Sequence, residues 1–113
     1  CYVANVSGTL YMGFYNGSAD VTSSSQPLTT ASWFHIAYCR SSGTLKIFVN
    51  GNEAYSASNT IDYQASRPLN IGASVDSTAR EALNGFIDDL RITKGVARYT
   101  AAFTPPTKSF PDQ

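Results

Sequence analysis

Residues 33 to 57, WFHIAYCRSSGTLKIFVNGNEAYSA, constrain the fold more than any other stretch. β-branched and aromatic residues run there in three short bursts, separated by the two kinds of signal that reverse a strand. Ser41, Ser42 and Gly43 stand between Arg40 and Thr44 and predict a three-residue hairpin loop. Gly43 would hold its left-handed position, where a Cβ would clash. Asn50-Gly51 predicts a tighter, two-residue turn, because both central residues need positive φ. The stretch therefore reads as a three-stranded antiparallel meander. With Arg40 opposite Thr44, Cys39 faces Leu45, Ala37 faces Ile47 and His35 faces Val49. Phe34, Ile36 and Tyr38 then share the other side with Lys46 and Phe48. Both faces are apolar, so something must cover each of them.

The rest of the chain extends this pattern. Strands are expected at 2 to 6, 9 to 15, 33 to 40, 44 to 50, 52 to 57, 68 to 72 and 85 to 93, and nowhere do apolar residues recur at helical spacing for a dozen positions. The fold class is all-β, an antiparallel β-sandwich. The 113 residues make one module, 1 to 113. Polar loops are expected at 16 to 32, 58 to 67 and 73 to 84, and loops on a rigid β scaffold are where binding concentrates. From residue 93 to 113 the pattern dissolves into an arm in which Pro105, Pro106 and Pro111 forbid a regular ladder. Its Tyr99, Phe103 and Phe110 are expected to pin it to the sandwich.

Charge excludes several classes of partner. Eight Lys and Arg balance eight Asp and Glu without blocks, so no basic face predicts nucleic acid and no polybasic tail predicts a membrane surface. No apolar run approaches the roughly 18 residues that would span a bilayer. Cys1 and Cys39 have neither metal-ligand spacing nor a pairing signal, and two free thiols are the simpler reading. The chain begins with Cys1 rather than Met, which points to a piece of a longer polypeptide.

One motif looks catalytic at first sight. In GFIDDLRITKGVARYTAAFTPPT, residues 85 to 107, two carboxylates stand side by side. In an extended strand, however, Phe86, Asp88, Leu90 and Ile92 share one face while Ile87, Asp89 and Arg91 share the other. The two acids then point apart and cannot share a proton or a substrate. Asp88 falls on the more apolar face and is expected to be buried, compensated by Arg98 or a loop backbone. On that reading its removal costs about 3 kcal/mol.

The succession WFHIAYCRSSGTLKIFVNGNEAYS, PLNIGAS and FIDDLRITKGVARYTAAFTPPT, from about Trp33 to Phe110, resembles the laminin-G-like, concanavalin A-like lectin/glucanase superfamily. More narrowly, it is similar to jelly-roll modules of bacteriophage tail fibres and other virion proteins, and of related bacterial surface proteins. Residues 1 to 32 lack the opening strand usual in the family. Cys1 to Tyr15 then correspond to middle strands, and the first third of the usual domain has no counterpart here. A jelly roll with strands missing leaves edges to be covered, so the chain is expected to be oligomeric or part of a larger chain or assembly.

The resemblance implies a non-catalytic recognition module in a virion or on a cell surface, binding host-surface carbohydrate. The alternatives are an architectural module contacting other virion proteins and an accessory domain of a secreted bacterial adhesin. Hydrolytic relatives need paired carboxylates about 5 to 9 Å apart, and no strand here carries them. His35, the sole histidine, lacks a serine on a nucleophile elbow and is expected to be a half-buried strand residue facing Val49.

Sugar contacts are expected where rings stand beside amides and carboxylates in loops. Those places are Tyr15 with Asn16, and Tyr63 with Asp62 and Gln64. The one cofactor the resemblance admits is calcium, with Asp20, Asp62 and Asp76 as candidate ligands, although solvated loop carboxylates are the simpler expectation. Trp33, Gly43, Asn50, Gly51, Asp88 and Arg98 are assigned structural roles. The triplets NVS (5 to 7) and NGS (16 to 18) fit the glycosylation acceptor pattern, which arises often by chance.

Overall fold

Two short turns organise the meander. A computed structural model describes residues 1–16, 18–62, 70–73 and 82–110. In it, strand β4 (Ile36–Ser41) pairs with β5 (Thr44–Val49), which pairs with β6 (Asn52–Ser58), all antiparallel. Asn50 and Gly51 reverse the chain between β5 and β6 with φ of 50° and 80°, as the Asn-Gly signal requires.

The first turn differs from expectation by one residue. Ser41 pairs with Thr44, and Ser42 and Gly43 form a two-residue loop with φ of 48° and 74°. That shift moves every side chain of β4 relative to β5. Tyr38 now opposes Ile47 and Ile36 opposes Val49, while Ala37 opposes Phe48 and Cys39 opposes Lys46. Burial explains the choice. The two-residue loop gathers Ile36, Tyr38, Leu45, Ile47 and Val49 on one face, whereas the three-residue loop would have split them.

A second sheet covers that face. Strand β1 (Tyr2–Val6) pairs with β2 (Thr9–Tyr15), and β2 with β3 (Asp20–Thr22), in the order β1-β2-β3. Ser7 and Gly8, at φ of 52° and 88°, close the β1–β2 hairpin, and Ser-Gly is itself a turn dipeptide. Past β3 the chain stays beside β2, where Ser23 N donates to Met12 O and Leu28 N to Leu10 O, each at 2.8 Å. Met12 and Phe14 of β2 pack with Leu45, Ile47, Val49 and Ala54, flanked by Val21, Leu28, Phe34, Ile36, Tyr38 and Tyr55. The Tyr38 hydroxyl crosses between the sheets to donate to Gly13 O at 3.0 Å. Burial raises the Tyr38 phenol well above its ordinary value. A bulge lets Ala54 reach this core: Ile47 pairs with Tyr55 but Phe48 with Glu53, leaving Ala54 as the extra residue. Its carbonyl accepts from Ser25 Oγ at 3.2 Å.

The opposite face of the meander is covered by the C-terminal arm. Phe48 is 0% exposed, and the Phe103 ring meets it edge to face at 5.5 Å. Tyr99 stacks flat on Phe103 at 3.5 Å, and His35 packs edge-on against both rings. Phe103 N donates to Gly51 O at 3.0 Å. Phe110 lies under the Arg91 guanidinium, 3.7 Å from the ring centre. Both apolar faces of the meander are thus covered, one by a sheet and one by irregular chain.

Several expectations fail. Trp33 does not begin a strand: β5 ends at Val49 opposite Ile36, so residues before Ile36 have no ladder partner, and Trp33 is 68% exposed. His35 accordingly does not oppose Val49. It is tied to the β5–β6 turn, donating its N–H to Asn50 Oδ1 at 2.9 Å and accepting from Asn50 N at 2.8 Å.

The stretch 85–93 is not a strand, and residues 70–72 form no regular element either. Asp89 adopts φ of 51° and donates its N–H to Asp88 Oδ1 at 2.9 Å, a local bond that competes with a ladder. Phe86, Leu90 and Ile92 are exposed, so the apolar surface expected to bury Asp88 does not form, and Asp88 itself lies in water. Arg98 donates from Nε to Thr93 Oγ1 at 2.9 Å instead of compensating Asp88. The remaining part of the expected 68 to 72 strand lies outside the described residues.

Candidate functional site

With Met12 and Phe14 turned toward the β4-β5-β6 meander, the alternation of β2 sends Thr9, Tyr11, Gly13 and Tyr15 to the other side. Register adds their neighbours. Val6, Ala4 and Tyr2 of β1 oppose Thr9, Tyr11 and Gly13, while Thr22 and Asp20 of β3 oppose Gly13 and Tyr15. The outer face of this sheet therefore carries three tyrosines, two threonines and a single charge, Asp20.

Gly13 leaves room for the Tyr2 ring. A Cβ there would sit 2.5 Å from Cε2 of Tyr2, so the Tyr2 ring spreads flat over the glycine. The Tyr2 hydroxyl is buried and makes no hydrogen bond. Burial first, and the nearby Asp20 carboxylate second, raise its pKa above the ordinary value for a phenol. Asp20 is thus a charged neighbour of the Tyr2 hydroxyl rather than its hydrogen-bond partner.

Tyr15 and Asp20 close the β2–β3 hairpin as a cross-strand pair, with Tyr15 55% exposed and Asp20 open to solvent. The connecting loop is built by Asn16. Its Oδ1 accepts from Ser18 N, Ser18 Oγ and Ala19 N at 2.9–3.0 Å, and its own N–H donates to Ala19 O at 2.9 Å. Since Oδ1 serves the turn, the amide nitrogen is the group of this side chain able to donate to a ligand.

The structure thus brings together Tyr15, Asn16 and Asp20, which sequence placed in two different candidate sets. Asp62 is exposed in the loop after β6, where Arg40 donates to Ile61 O. Tyr63, Gln64 and Asp76 lie outside the described residues. Among the described residues no group of three His, Cys, Asp or Glu side chains is arranged to hold a metal ion. Cys1 is exposed and Cys39 half-buried, both as thiols. Tyr2 and Tyr11 escaped the sequence reading. The alternation Thr9, Tyr11, Gly13, Tyr15 is visible in the sequence, but only the meander packed against β2 decides which side faces solvent.

The comparisons with known proteins agree with this architecture. Residues 2–98 match a family model described as the concanavalin A-like lectin/glucanases superfamily, a laminin-G type. The chain belongs to that superfamily. The match reaches back to residue 2, well ahead of Trp33, so the first hairpin is part of the family fold. Among solved structures the chain is similar to residues 221–444 of an S-layer domain-containing protein from Clostridium thermocellum, at 23% identity and a TM-score of 0.53. That alignment covers 86% of this chain and 48% of the other, so the chain spans about half the length of its structural neighbour. No curated protein matches the sequence. What the two sheets form is an incomplete concanavalin A-like β-sandwich of jelly-roll type.

Proposed function

We propose that the chain is a non-catalytic carbohydrate-recognition module that binds glycan on the outer face of the β1-β2-β3 sheet. The observation that carries this reading is the placement of Tyr2, Tyr11 and Tyr15 on one face beside Asp20. Aromatic rings receive the apolar side of a pyranose, and carboxylate and amide groups at their rim take its hydroxyls. The superfamily description, which names lectins, supports the class. An extracellular or particle surface is the setting proposed, in line with the S-layer domain-containing neighbour. A phage tail fibre and a bacterial envelope protein are the two forms that setting takes.

Tyr15→Ala tests the site. Tyr15 is exposed and absent from the core, so the variant should keep its melting temperature while losing about tenfold in affinity for whichever glycan the wild type retains on an array. Equal affinity of wild type and variant would remove Tyr15 from the site.

A second reading, assembly with other proteins, is favoured by a different observation. Phe86, Ile87, Leu90, Ile92 and Val96 are all exposed within one short stretch, more apolar surface than isolated residues account for. Solution mass and melting temperature measured across a range of concentrations test it, because an assembling chain becomes more stable as it is concentrated.

A further inference from the structure

The tyrosine face has a peculiar electrostatic character. Asp20 is the single charged residue among the nine that register places there. No Lys or Arg precedes Arg40 in the sequence, so neither β1, β2 nor β3 supplies a positive side chain to neutralise it. Beside Asp20 stand Tyr15, an open ring, and the Tyr2 hydroxyl, a buried donor without a partner.

We infer that Asp20 makes this face selective for uncharged sugars bearing adjacent free hydroxyls, and that it disfavours uronic, sialic and sulfated glycans. The inference rests on the glycan-binding reading and names the ligand class for that same site. A carboxylate accepts two O–H groups from neighbouring carbons of one pyranose, and charge-assisted bonds of this kind are stronger than neutral ones. The ring of Tyr15, paired across the hairpin, receives the C–H side of the same sugar. An anionic substituent near Asp20 meets a like charge with no Lys or Arg from this sheet to relieve it. A like charge about 4 Å away in water lowers affinity roughly fivefold, and more where solvent is excluded.

The test is an array carrying neutral, uronate-containing, sialylated and sulfated glycans, probed with the wild-type chain and with Asp20→Asn. Asp20 is exposed, so the variant should fold, which its melting curve verifies. The expected result is a wild-type preference for neutral glycans, with Asp20→Asn binding those more weakly and its neutral-to-acidic affinity ratio falling about fivefold. Wild-type binding to acidic glycans as tight as to their neutral counterparts, or a ratio unchanged in Asp20→Asn, overturns the role of Asp20 while leaving glycan binding in place. Absence of binding to every class overturns the glycan reading on which it rests.

Discussion

The two halves of the stretch from Gly85 to Phe103 behave in opposite ways. The first half, Phe86 to Ile92, has the better strand pattern of the two, yet it lies exposed, with Phe86 87% accessible. The second half is irregular, yet Tyr99 and Phe103 are docked against His35 and Phe48. Alternation supplies a face but no partner. A strand forms only where another backbone offers its donors and acceptors, and among the described residues none does so for 86–93. Docking of the arm needs much less, a ring stack over an apolar patch and one backbone hydrogen bond at Gly51.

Gly51 is therefore where the docked half breaks most easily. A Cβ at this position would stand 1.8 Å from the Phe103 carbonyl oxygen, and the residue holds φ of 80°. Gly51→Ala should cost about 3 kcal/mol in unfolding free energy, combining left-handed strain with displacement of the arm. Gly8 separates the two contributions. It has a similar φ of 88° but nothing within 4 Å of its absent Cβ, so Gly8→Ala should cost only about 1 kcal/mol. In a Phe103→Ala background the Gly51 penalty should shrink toward that of Gly8. Equal costs for the two glycines in the wild type would show that the arm is not held at the turn.

A smaller effect should appear with pH. His35 is packed between the turn and the arm, its Nδ1 is buried without a hydrogen-bond partner, and burial lowers its pKa below the ordinary 6.5. The unfolded chain then takes up a proton before the folded one does. Stability is complete above about 6.5, falls as pH drops from there through the folded pKa, and levels off below it. As His35 is the sole histidine, this limb should vanish in His35→Gln. Thermal unfolding between pH 7.5 and about 5 measures it, and a limb that survives the substitution would assign it elsewhere.

What the sequence disclosed follows the same division. The meander was legible because its turns are local chemistry: Asn50-Gly51 and Gly43 each demand positive φ, and each has it. The loop length at Ser42-Gly43 was not, since two- and three-residue hairpins both accept glycine at that point, and the choice depends on which register gathers Ile36 and Tyr38 with Ile47. Strand β3 was missed because three residues, Asp20 to Thr22, show no period. The tyrosine face was half legible: Tyr15 and Asn16 were named as sugar contacts, whereas Tyr2 joins them only through pairing with Gly13. Likewise the trade of Asp88 from buried to exposed hinges on long-range cover that local alternation cannot report.

Asp88 carries the sharpest contrast with the least expected change. A strand at 86–92 would bury it and make Asp88→Ala cost about 3 kcal/mol. In the structure its Oδ1 accepts only the Asp89 N–H next to it, on an exposed stretch, so the substitution should fall within about 0.5 kcal/mol of wild type. Phe86→Ala should be equally mild, since the ring is in water already. The comparison becomes decisive if both are measured at several protein concentrations. Should the chain assemble through this stretch, both substitutions would turn costly as concentration rises and the apolar face gains cover. Constant, near-zero costs would instead leave 86–92 as uncovered irregular chain, with the arm beyond it held by its ring stack over Phe48 and His35 and by the backbone bond at Gly51.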